Sequence, residues 1–160
     1  MKTTMKISSM LLMCMFLTAN VVAQQTGQQQ QMQQMQQQQQ VQQMVQKMNQ
    51  LQERTHMLSQ EMNRNMQQTQ NEQLRYQYQN MYRFSEQLGL TIGNLKNAAE
   101  RCNMMLQDRQ MTQDRAMQQD MEQLRQRLND MTGQAEEAVK AMDRIRDRLH
   151  EKDNLKQNQN

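Results

Sequence analysis

The chain has 160 residues, no proline, no tryptophan and four glycines, and its 19 basic against 16 acidic side chains leave a net charge of +3. That balance is too even to be the electrostatic footprint of a nucleic-acid or anionic-membrane binder. Runs of Val, Ile, Tyr and Phe that could start a sheet are absent, whereas the abundant Gln, Met, Arg, Glu, Leu and Ala tolerate helix, so the expected class is all-α with a flexible part.

Residues 1–23 have the layout of a secretory signal. Lys2 and Lys6 supply the positive end, Ile7 to Leu17 a short apolar run, and Val21-Val22-Ala23 the small residues of a cleavage site near Ala23. The run falls short of the ~20 apolar residues a membrane span needs. Cys14 offers a rival reading, acylation at Leu11-Leu12-Met13-Cys14, which the bulk of Met13 disfavours. Export to the periplasm or the cell exterior is the expectation. Loss of Lys2 and Lys6 then brings the 19 basic side chains down to 17, close to neutrality, and leaves Cys102 as the one thiol. A single thiol closes no internal disulfide, so Cys102 is either a small buried apolar residue or a bridge between chains.

Residues 24–40 contain only Gln, Met32, Met35, Thr26 and Gly27. So little apolar area does not offset the entropy of ordering the backbone, and a flexible Gln-rich segment or a frayed helix extension is expected. After it, Val41, Met44, Met48, Leu51, Thr55, Leu58 and Met62 recur at steps of three and four, predicting an amphipathic helix over residues 41–66. Residues 67–72 lack apolar side chains, and Thr69 with Glu72 three later fits a capping box that opens a second helix over 70–108.

That second helix carries Leu74, Tyr78, Met81, Ser85, Leu88, Ile92, Leu95, Ala99, Cys102 and Leu106 at strict heptad spacing. A third, over 113–150, carries Met117, Met121, Leu124, Leu128, Met131, Ala135, Ala138, Met142, Ile145 and Leu149, and a polar tail follows at 151–160. Seams of this length predict coiled-coil packing. Folding back near residues 110–113, with Thr112 as a cap, pairs residues whose numbers sum to 223, such as Tyr78 with Ile145. One continuous helix with a stutter is the alternative. The expected architecture is a long antiparallel hairpin with the 41–66 helix as a third member. Two helices alone bury too little, so a second contact, through Tyr76, Tyr82, Phe84, Leu90, Met104 and Val139, is expected with another helix or another copy. Gly89 and Gly93, one turn apart, are either a soft spot or a smooth patch for close helix approach.

Catalysis has little to work with. After residue 23 there are two histidines, His56 and His150, and two serines, Ser59 and Ser85; the pairing register places no histidine near Ser85, and no nucleophile with a positioned base can be assembled. Glu136 and Asp143 read as a solvated face. No enzyme activity and no cofactor are expected. Methionine, 20 in all, is the one compositional oddity. Of the 15 that follow residue 23, eight occupy seam positions as adaptable core filler; Met32, Met35, Met57 and Met66, with His56, are candidate ligands for a soft metal such as Cu(I) or Ag(I). The function expected is that of an exported, non-catalytic helical protein working by contact with itself or another helical protein, in a structural or holdase-like role. An exported soft-metal binder is the alternative.

Overall fold

Helix-compatible sequence, uninterrupted by proline, becomes three helices in the computed structural model, which describes the backbone of residues 5–108 and 114–157 and the side chains of 31–108 and 114–155. They are α1 (Met5–Gln68), α2 (Glu72–Gln107) and α3 (Arg115–Gln157). The chain is all-α; there is no strand among the described residues. It divides into two units, Met1–Gln39 and Gln40–Asn160. The first is helical from Met5, and residues 24–40 are part of that helix. Glutamine is a fair helix former, and adding a residue to an existing helix costs far less than starting one. By the same reasoning the tail expected at 151–160 is helical as far as Gln157. The side chains of the signal-like segment, and Thr112, lie outside the described residues.

In the second unit, Val41, Met44, Met48, Leu51, Thr55, Leu58 and Met62 of α1 are all buried. After α1, the Thr69 N–H donates to the Asn65 carbonyl at 3.0 Å. Asn71, and not Thr69, then caps α2: its Oδ1 accepts from the Leu74 N–H at 3.1 Å. Thr69 is instead buried, and its hydroxyl donates to Asp153 at 3.2 Å. Asp114 caps α3, accepting from the N–H groups of Ala116 and Met117.

Cross-helix contacts give the topology. Ser59 of α1 donates to Glu86 of α2 at 3.1 Å, and Thr55 and Gln52 lie over Gly89 and Gly93, so α1 and α2 run antiparallel. Tyr78 of α2 stands 6.3 Å, centroid to centroid, from His150 of α3, while Cys102 sits in the field of Glu122 and Arg125, so α2 and α3 are antiparallel too. The expected register is corrected here: Tyr78 meets His150 and not Ile145.

The α2 seam is buried at Leu74, Tyr78, Met81, Ser85, Ile92, Leu95, Ala99, Cys102 and Leu106, with Leu88 partly so. On α3 the buried set is Met121, Leu128, Thr132, Ala135, Val139, Met142 and Leu149. Leu124, Met131 and Ile145, expected in the seam, are exposed instead, and Val139, expected off it, is fully buried. The reason is that α3 must face two neighbours at once. A helix lodged against both α1 and α2 buries a wider stripe than a two-helix seam, and the stripe's centre turns toward α1. Thr132 is accommodated there because its hydroxyl donates to the Leu128 carbonyl at 2.7 Å.

Charges align α1 with α3. Lys47 pairs with Glu136, Arg54 with Asp143, and Glu61 with His150 at 2.8 Å. Each set recurs every seven residues, so α1 and α3 are parallel. Arg146 joins the ladder, 3.7 Å from Glu61 and 3.2 Å from Asp143. The half-exposed rungs contribute only about 0–1 kcal/mol each; their larger effect is on register. The sign reverses at Glu61. A slip of one heptad either sets Arg54 against His150 or sets Glu61 against Asp143, and loses two of the three pairs.

The glycine patch has a definite use. A Cβ on Gly89 would sit 3.1 Å from Thr55 Oγ1, and one on Gly93 would sit 3.3 Å from the Gln52 amide. Thr55 is buried and its hydroxyl is committed to the Gln52 carbonyl at 2.8 Å, whereas the Gln52 side chain is exposed and free to swing. Nothing lies within 4 Å of a Cβ on Gly133. Gly133→Ala and Gly93→Ala should therefore each stabilise by up to ~1 kcal/mol through helix propensity. Gly89→Ala should lose about 1 kcal/mol, crowding outweighing propensity; urea midpoints of the three variants check the order.

Candidate functional site

Residues seven apart on a helix share a face. The rotation of α3 therefore opens a stripe: Met117 and Ala138 half-buried, Leu124 37%, Met131 44% and Ile145 43% exposed. Ala141, half-buried, lies along the same edge. On the outer flank stand Asp120, Arg127 and Arg148, all exposed and with no hydrogen-bond or ion-pair partner among the described residues. Sequence reasoning missed this flank because it placed the stripe inside the hairpin. The α2 residues expected in a second contact divide: Tyr76, Phe84, Leu90 and Met104 are exposed, while Tyr82 packs partly against the core.

The candidate soft-metal ligands are not brought together. Met32 and Met35, three residues apart on α1, are exposed in the first unit. In the second unit Met57 is exposed, Met66 packs against the core, and the His56 ring nitrogen is hydrogen-bonded to Gln60 at 2.9 Å. No cluster of three or more His, Cys, Asp or Glu suited to a metal ion occurs among the described residues.

An open groove of about 480 Å³ runs between α1 and α2, lined by Asn49, Gln52, Glu53, His56, Glu86 and Leu90 among others. Ser59 and Ser85 border it, but neither is set up as a nucleophile. Ser59 donates to Glu86, and Ser85 donates to the Met81 and Tyr82 carbonyls of its own helix at 2.8 and 2.9 Å. His56 reaches neither.

Two titratable groups are moved by burial. The thiol of Cys102, fully buried, is pushed up by loss of hydration, against the pull of Arg125. An intermolecular bridge would need its sulfur exposed, so packing is the role its position supports. The Tyr78 phenol is pushed up to about 12, first by burial and then by the charges of Asp153 and Glu61. Its hydroxyl has no hydrogen-bond partner among the described residues. Outside the core, Glu136 is held low by hydrogen bonds from Lys47 and Lys140.

No described helix is long and apolar enough to cross a membrane. Compared with protein-family models, curated proteins and solved structures, the chain matches none.

Proposed function

We propose that this is an exported, non-catalytic helical protein that works by apolar contact with other protein, and that the open stripe of α3 is its working face. The observation that supports this is the row Leu124, Met131 and Ile145, exposed at spacings of seven and fourteen residues on a helix whose Met121, Leu128, Val139, Met142 and Leu149 are buried. Methionine suits such a face because its unbranched thioether repacks around varied surfaces. Residues 1–23 serve as the export signal, with cleavage near Ala23. The contact is structural or holdase-like.

The test combines Leu124→Glu, Met131→Glu and Ile145→Glu in one variant. The parent should slow aggregation of a reduced, unfolded model protein at equimolar ratio. The variant should keep its helical circular dichroism and lose most of that effect, about fivefold or more if exposed apolar area carries it. A parent that neither self-associates nor slows aggregation contradicts the proposal.

A second reading, soft-metal binding, is favoured by one observation, the exposure of Met32 and Met35 a single turn apart. Copper(I) competition separates the two readings: binding no tighter than a weak chelator, or unaffected by Met32→Leu with Met35→Leu, removes it.

A further inference from the structure

We propose that the occupant of the α3 stripe is a second copy of this chain, its α3 lying antiparallel across a twofold axis beside Gln134. The pairing rests on the reading of that stripe as the working face and names its partner. Charge decides the direction. Parallel pairing would stack Asp120 on Asp120, Arg127 on Arg127 and Arg148 on Arg148 of the second copy, all like charges without partners to neutralise them among the described residues. Asp120 and Arg148 lie 14 residues either side of Gln134. Antiparallel pairing about that residue therefore brings each Asp120 to the Arg148 of the second copy, at both ends of the contact.

The apolar positions fit the same register. Leu124 meets Ile145 of the second copy and Met131 meets its Ala138, twice each by symmetry. Arg127 falls opposite Ala141, whose small side chain leaves room for the arginine stem. Gln134 faces itself. On the solvated outer rim Asp130 comes near Glu137 of the second copy, a like-charge pair that screening makes weak and that Lys140, 2.9 Å from Glu137, partly offsets. The contact is about 42 Å long, counting 1.5 Å per residue from 120 to 148. It is narrow and partly built from alanine, so association in the micromolar range is expected.

Charge exchange tests the register on the full chain by sedimentation. Asp120→Arg and Arg148→Asp should each weaken self-association about tenfold or more, and the double exchange should recover to within about threefold of the parent. In a background of Cys14→Ala with Cys102→Ala, Gln134→Cys should form a disulfide-linked dimer on mild oxidation faster than Gln123→Cys, which sits on the same helix off the axis. A double exchange no better than the single ones, or equal cross-linking at 134 and 123, overturns the proposal. So does a chain that stays monomeric at ~100 μM, far above the expected range; if that monomer still slows client aggregation, the stripe remains the working face and only the self-pairing fails.

Discussion

Val139→Asp should largely unfold the protein, while Ile145→Asp should leave it folded. Val139 is 0% exposed and Ile145 43% exposed. A carboxylate forced into the three-helix core costs on the order of 3–5 kcal/mol, a large part of an ordinary domain's stability. At Ile145 the new carboxylate stays in water, and the loss should be under about 1 kcal/mol. A seam read from heptad spacing alone makes the opposite forecast, because it puts Ile145 inside and Val139 outside. Urea midpoints of the two variants decide between them.

The second large effect is an alkaline loss of stability traced to Tyr78. Its phenol is pushed up to about 12 from an ordinary 10.0, so folding favours the neutral form. The stabilisation is fully present below pH 10, where the phenol is neutral in folded and unfolded chains alike. It is lost progressively as pH rises from about 10 to 12, because the unfolded chain ionises first. Two units correspond to about 2–3 kcal/mol. Tyr78→Phe should abolish this component. Since the hydroxyl lacks a hydrogen-bond partner among the described residues, the variant should match or slightly exceed the parent at pH 7. Urea titrations of both proteins at pH 8 and pH 11.5 give the difference, and groups titrating alike in both cancel from it. An equal loss in the two proteins would show that Tyr78 is not the cause.

What could be read from the residues depended on how local the deciding physics is. The stripe from Val41 to Met62 and the seam from Leu74 to Leu106 declare themselves through spacing, because each faces the core along its whole length. The α3 seam does not, since its orientation depends on α1, a neighbour some 90 residues away. Both Ile145 and Val139 are apolar, and periodicity alone chose the wrong one. The ladder was missed for a related reason. Glu136 with Lys140, and Asp143 with Arg146, are good pairs within one helix, and they mask the pairs these acids make with Lys47 and Arg54. The signal was present as Lys47, Arg54 and Glu61 at intervals of seven, matched by Glu136, Asp143 and His150 at the same interval. The last helix was ended at 150 and not at Gln157 because scarcity of apolar residues beyond it was taken for absence of helix. Asn71 was overlooked beside Thr69, two residue types with similar capping ability.

The outward turn of α3 is the claim on which the working face and its pairing both depend. Thiol-labelling rates measured at high dilution, with Met131→Cys and Thr132→Cys made separately in a background of Cys14→Ala with Cys102→Ala, test it most directly. Position 131 should react at close to the rate of an unfolded chain, and its neighbour at 132 should be slowed ~100-fold or more by burial. Fast reaction at 132 with protection at 131 would put the stripe back inside the bundle and contradict the account.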